Sequence, residues 1–128
     1  MTTEYVDLQK NMTVSEAIEE IRKTGKDKEN IYTCYVTGEK GILEGVLSLK
    51  ELIAKKDTIQ IEDIMNKNFV SVNTNDDQEI VADLFKKYDF IVMPVVDHEN
   101  RILGIITIDD VMDVVDQEVT EDFHKMAG

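Results

Sequence analysis

A single cysteine, a single proline and six glycines are all that this 128-residue chain holds of those residue types. A lone Cys34 excludes an intramolecular disulfide and any cysteine-based zinc site. So little Pro and Gly, beside 42% hydrophobic residues, describes a folded chain and not a disordered one. Basic residues are scarce as well: 14 Lys and Arg stand against 27 Asp and Glu, a formal net charge of −13. Phosphate backbones require clustered cations, so nucleic acid is excluded as a partner, and an anionic membrane surface with it. The acid excess permits attraction of cations or mere solubility, and composition does not choose between them.

Long apolar runs are missing too. The longest, Phe90 to Val96, is broken by Pro94 and falls far short of the ~20 residues that cross a bilayer. Met1-Thr2-Thr3-Glu4 is polar and acidic where a secretory signal would not be. His98 and His124 stand 26 residues apart with no ligand spacing. No Gly-rich phosphate loop, nucleophile elbow or metalloprotease motif occurs, so an enzyme is not expected. The expectation is an intracellular, soluble chain of mixed α/β class, the size of one ordinary domain or two very small ones.

What is present is a repeat. Ile31 to Thr37, a polar turn and Leu43 to Ile53 are matched about sixty residues later by Ile91 to Asp97, another turn and Ile102 to Met112. The two blocks superpose with a one-residue shift in the turn. Each begins with an amphipathic helix, carried by Val14, Ala17, Ile18 and Ile21 in one copy and Ile80, Val81, Leu84 and Phe85 in the other. Two β-branched and aromatic strands follow, joined by a hairpin at Gly38 and Gly41 or at His98-Glu99-Asn100. A second helix closes each copy, Leu49 to Ala54 and Asp109 to about Val115. Thr13-x-x-Glu16, Ser48-x-x-Glu51 and Thr107-x-x-Asp110 have capping-box form, and Thr74-x-x-Asp77 also resembles a helix start. Extended pieces, Tyr5 to Leu8 and Val70 to Val72, precede each copy, and Ile61 to Met65 reads as one helical turn between them. Each β-α-β-β-α unit is too small to bury a core alone, so the pair is expected to pack as one body with pseudo-two-fold symmetry and two clefts. The expected division is 1–64, 65–116 and a final acidic stretch, 117–128.

That final stretch is dense in acid. Seven of the fourteen residues from Asp109 to Asp122 are carboxylates, with Asp110 and Asp113 on one helix face and Glu118, Glu121 and Asp122 on another. By spacing alone this reads as a solvated acidic face.

The repeat resembles the CBS domain, and the tandem a Bateman module, through Pro94-Val95-Val96-Asp97 and Gly104-Ile105-Ile106-Thr107-Ile108-Asp109-Asp110-Val111. The flanks, Met1 to Val6 and Val111 to Lys125, are similar to the CBS region of MgtE-type magnesium transporters. The resemblance implies an excised regulatory piece of a multi-pass membrane protein. It would lie on the cytoplasmic side, not itself membrane-inserted, between an N-terminal cytosolic domain and a transmembrane pore, and pair as a homodimer. It implies Mg²⁺ as the ligand sensed, held by Asp77 and Glu79, by Asp89, by Asp110 and Asp113, and by Glu118, Glu121 and Asp122.

The same resemblance implies a second ligand, ATP or another adenine nucleotide. The family pattern Gly-h-h-Thr/Ser-x-x-Asp, h being apolar, is met by Gly104 to Asp110, with Thr107 and Asp110 as its polar members. In the first copy, Gly45 to Glu51, the Asp is replaced by Glu51. The site associated with that copy would use Ser48, Lys50, Glu51 and the ring of Phe90. Three functions therefore follow as expectations: a magnesium-sensing module, an adenine-nucleotide sensor, or a structural dimerisation module. Cys34, which aligns with Pro94, and the methionines Met65, Met93 and Met112 read as packing residues.

Overall fold

A computed structural model describes residues 2–27 and 30–111. The first repeat runs β1 (Tyr5–Gln9), α1 (Val14–Thr24), β2 (Asn30–Thr37), β3 (Leu43–Ser48) and α2 (Leu49–Ala54). The second runs β4 (Val72–Asn73), α3 (Gln78–Tyr88), β5 (Val92–Val96) and β6 (Ile102–Thr107), with a further helix opening over 108–111. Single 3₁₀ turns occupy Gly25–Asp27, Glu39–Gly41 and Ile61–Asp63. Two three-stranded sheets result, ordered β1-β2-β3 and β4-β5-β6, each with a parallel outer pair and an antiparallel hairpin.

The helices start where the sequence places their caps. The Thr13 side chain accepts from the Glu16 N–H while the Glu16 carboxylate accepts from that of Thr13, a complete box. Ser48 makes only its own half, accepting from the Glu51 N–H at 3.1 Å. For α3 the cap is Asp77 itself, accepting from the Glu79 N–H at 3.3 Å, so the helix begins one step beyond the Thr74-x-x-Asp77 pattern. On α3 the apolar face is also turned from the expected one: Val81, Ala82 and Phe85 are buried, and Ile80 is 53% exposed.

The central strands are covered on both sides, as strands between two layers must be. Cys34 and Val36 of β2 face α1 and α2 in a first core with Val6, Leu8, Ala17, Leu47, Leu52 and Ile61. Met93 of β5 faces α3 in a second core with Val72, Val81 and Phe85. Between the sheets, Tyr35 and Leu43 of one repeat meet Val96 and Ile105 of the other, flanked by Tyr5 and Phe69. The repeats thus share a third core, in the face-to-face arrangement expected of two small units.

Backbone pairing reinforces that union reciprocally. Thr2, ahead of the first repeat, exchanges both hydrogen bonds with Ile105 of β6, at 2.9 and 2.8 Å. Asn66, ahead of the second, does the same with Val46 of β3, at 3.0 and 2.8 Å. Each lead-in therefore extends the other repeat's sheet. The hairpins join as well, through an antiparallel bridge between Ile42 and Arg101.

Candidate functional site

The strand–helix junctions carry most of the residues expected to hold a nucleotide. At the end of β6, Thr107 and Asp110 cap each other: the Thr107 N–H donates to the Asp110 carboxylate and the Asp110 N–H donates to the Thr107 hydroxyl, both at 3.4 Å. The neighbouring Ile108 N–H donates to the Ile91 carbonyl at 2.7 Å, which ties this junction to the entry of β5, immediately after Phe90. Thr107, Asp110 and Phe90 therefore belong to one region of the fold. Ser48, Lys50 and Glu51 belong to another, the exposed first turn of α2. The glycine of that first motif has a packing role: a Cβ on Gly45 would lie 2.6 Å from the Met65 sulfur.

Phe90 is half-buried against the second core, and its ring stacks on that of Tyr88 at 5.4 Å between centroids and 17° between planes. Asp89, between them, adopts the left-handed conformation (φ 55°, ψ 40°) that ends α3. Sequence reasoning passed over Tyr88, because neighbours two apart on a regular helix do not face each other.

The candidate metal residues divide in the same way. Glu79 and Asp110 line one cavity of about 540 Å³ in the second repeat, between β4, α3 and the opening of the last helix. Asp76, Asp83 and Lys86 also line it, over a floor that includes Val72, Val81, Val95 and Ile106. Asp76 and Asp83 were not singled out from sequence, although Glu79 and Asp83 have the i,i+4 spacing of a shared helix face. Asp77 is occupied as a helix cap, and Asp89 lies at the far end of the 11-residue α3, about 17 Å along the axis. No three Asp, Glu, His or Cys side chains converge as a metal cage among the described residues. Asp113, Glu118, Glu121 and Asp122 lie outside those residues, as do Met112 and His124.

The remaining titratable groups are structural. Burial pushes the Cys34 thiol up to about 12, which keeps it protonated and inert. Burial, and secondarily the neighbouring Cys34, raises Tyr35 well above the usual phenol range. Asp97 is held low, first by the Arg101 backbone N–H, and its carboxylate also pairs with the Arg101 guanidinium at 2.9 Å across the β5–β6 hairpin. His98 lies 3.9 Å from the Glu99 carboxylate at the exposed tip.

Each repeat is thus a parallel-plus-hairpin sheet followed by a helix that opens after a Gly-h-h-Thr/Ser motif. The CBS domain pattern fits the chain twice, over residues 1–57 and 61–117. The chain belongs to the CBS domain family. As a CBS pair it is 50% identical over all 128 residues to the magnesium transporter MgtE of Thermus thermophilus, and 41% identical to that of Enterococcus faecalis. It spans 28% of the length of either relative. The soluble part of a magnesium transporter superposes with a TM-score of 0.88 at 42% identity, over 92% of this chain and 46% of that one. The cytosolic domain of the Mg²⁺ channel MgtE in complex with ATP superposes with a TM-score of 0.85 at 50% identity, over 89% and 46%. Within the described residues no helix is long and apolar enough to cross a membrane. The CBS pair thus presents two kinds of surface: polar junctions at Ser48 and Thr107, and an acid-rimmed cavity beside the second.

Proposed function

We propose that this CBS pair is the regulatory module of a magnesium transporter or channel, on the cytoplasmic side of the membrane, and that it senses Mg²⁺ through its carboxylates. The similarity to MgtE along the whole chain is the observation that carries the reading. The residues proposed as ligands are Asp77, Glu79, Asp89 and Asp110, together with Asp113, Glu118, Glu121 and Asp122.

The described residues fit Mg²⁺ in one particular way. Mg²⁺ keeps several waters and commonly takes one or two carboxylates per ion, so it does not need a closed cage. Glu79 and Asp110, lining one cavity, suit that habit, whereas Asp77 and Asp89 are too far apart along α3 to share an ion. When bound, Mg²⁺ supplies positive charge where like charges otherwise repel. The chain's own residues do the rest: Asp110 sits on the first turn after β6, so an ion there bears on the helix that opens over 108–111. Regulation then follows as a population shift, provided the ion binds the compact arrangement more tightly than the loose one. In the parent protein the module would pair as a homodimer and connect an N-terminal cytosolic domain to a pore.

A second reading, an adenine-nucleotide site at the junction of Ser48, Lys50 and Glu51 or at that of Thr107 and Asp110, beside which Phe90 lies and not beside Ser48 as expected, is favoured by the ATP complex of the related cytosolic domain. Lys50 supplies the positive charge that phosphates require, and Glu51 the acceptors for ribose hydroxyls. Calorimetry with Mg²⁺ alone, ATP alone and both together tests the two readings. Heat from Mg²⁺ alone in the millimolar range is expected; its absence up to ~10 mM, a generous ceiling for a weak carboxylate site, overturns Mg²⁺ sensing by this chain.

A further inference from the structure

We propose that the cavity of the second repeat is a docking groove for an extended, basic segment of a partner protein, seated as this chain's own connector is seated in the first repeat. This is a binding function apart from the two ligands considered above. The strand registers align the repeats: Leu8 pairs with Val36 and Val36 with Gly45, as Val72 pairs with Val95 and Val95 with Gly104. The helices α1 and α3 agree, each beginning six residues after Leu8 or Val72. On that alignment Leu8, Val14, Leu47 and Leu52 correspond to Val72, Gln78, Ile106 and Val111. In the first repeat these positions form a core with Ile61 of the connector, which has no exposure at all. In the second they line the cavity of about 540 Å³ instead, with Gln78 exposed and Ile106 only half-buried.

The backbone groups that hold the connector recur as well. In the first repeat the Val14 N–H donates to the Ile59 carbonyl, and the Met12 and Lys10 carbonyls accept from the Ile61 and Glu62 N–H groups. Their counterparts, Gln78, Asp76 and Thr74, all line the cavity. Main-chain bonds of this kind fix an extended segment while a pocket takes its side chain. The sign of the charge selects the occupant. The connector carries Asp57, Glu62 and Asp63, and the positions beneath it are Lys10, Met12 and Ser15. In the second repeat those three become Thr74, Asp76 and Glu79, so a cation is lost and two acids are gained. Asp83 and Asp110 line the same cavity. The complementary occupant has an aliphatic residue at the place of Ile61 and Lys or Arg on either side of it. Residues 112–128 of this chain have the wrong sign, with Asp113, Asp116, Glu118, Glu121 and Asp122 against Lys125.

Fluorescence polarisation with labelled peptides and the intact chain tests this, in Mg²⁺-free buffer so that no ion screens the rim. The probe is the connector sequence 55–63 carrying Asp57→Lys, Glu62→Lys and Asp63→Lys. It should bind at least about threefold more tightly than the unaltered connector peptide, the effect of a few exposed charge pairs. Adding Ile59→Ser and Ile61→Ser to the probe should weaken it roughly tenfold or more, the loss of a buried aliphatic anchor. In the chain, Asp83→Lys reverses one exposed charge at the cavity and should weaken the probe at least about threefold. Glu39→Lys, the same change of charge on the hairpin of the first repeat, should leave it within about twofold. No binding of the probe up to ~1 mM overturns the proposal, as does equal binding by the unaltered connector peptide. Equal binding by the serine peptide, or equal weakening by Asp83→Lys and Glu39→Lys, overturns it too, because each reduces the binding to general attraction of cations by an acidic chain.

Discussion

Asp89 shows how one residue carries two separable properties. Its backbone sits at φ 55°, where L-residues are strained and where Asp and Asn are tolerated better than most. Its carboxylate is also among the proposed Mg²⁺ ligands. Substitution separates the two. Asp89→Gly removes the carboxylate and suits the left-handed corner, whereas Asp89→Ala removes the same carboxylate and strains it. Chemical denaturation should find the Ala variant about 1 kcal/mol less stable than the Gly variant, while any Mg²⁺ response is diminished equally in both. A Gly variant that keeps the full Mg²⁺ response would remove Asp89 from the ligand set. The corner was not legible beforehand, since nothing in Tyr88-Asp89-Phe90 spells a left-handed residue, and the Tyr88–Phe90 stack depends on it. Ile80 was misjudged for a related reason: its spacing fits the apolar stripe, but the helix turns Ala82 inward instead. Among the caps, Thr13, Ser48 and Thr107 were readable because capping is local chemistry confined to four residues.

At the scale of elements, the segment after α2 does more than connect. The Val14 N–H donates to the Ile59 carbonyl and the Ile61 N–H to the Met12 carbonyl, both at 2.8 Å, while the Glu62 N–H donates to the Lys10 carbonyl at 3.0 Å. These bonds bind the segment across the start of α1, and Ile61 enters the first core with no exposure at all. Ile61→Ala should therefore cost about 2–5 kcal/mol in urea unfolding, the range for truncating a buried aliphatic side chain. Ile53→Ala, on α2 but 65% exposed, should stay within about 0.5 kcal/mol of wild type. Similar losses for both would mean that Ile61 does not anchor the segment. The single turn at Ile61–Asp63 was legible in the sequence; its lacing over α1 was not, because those partners lie some fifty residues away along the chain. The exchange of lead-ins at Thr2 and Asn66 escaped as well, since each pairs with a strand of the other repeat and not with a neighbour along the chain.

For the whole molecule, symmetry and charge act together. The repeat announced the fold, because two half-sized units with matching apolar patterns have to bury their faces against each other. It did not announce which carboxylates would meet. Glu79 and Asp110, far apart in sequence, come to one cavity with Asp76 and Asp83, while Asp77 and Asp89 do not. Tertiary packing decides such groupings, and periodicity shows only that acids share a helix face. A net charge of −13 also means that any salt relieves some repulsion, so stabilisation by Mg²⁺ is informative only against that background.

The most direct test is the melting temperature of the chain against Mg²⁺ concentration, compared with NaCl at matched ionic strength and with the Asp110→Asn variant. Asn keeps an oxygen acceptor for the Thr107 N–H, so the variant leaves the helix start in place. The account predicts that Mg²⁺ raises the wild-type melting temperature beyond NaCl by about 3–6 °C once the ion reaches roughly ten times its dissociation constant, with a smaller rise in the variant. Coincident Mg²⁺ and NaCl curves up to ~10 mM Mg²⁺ would contradict it.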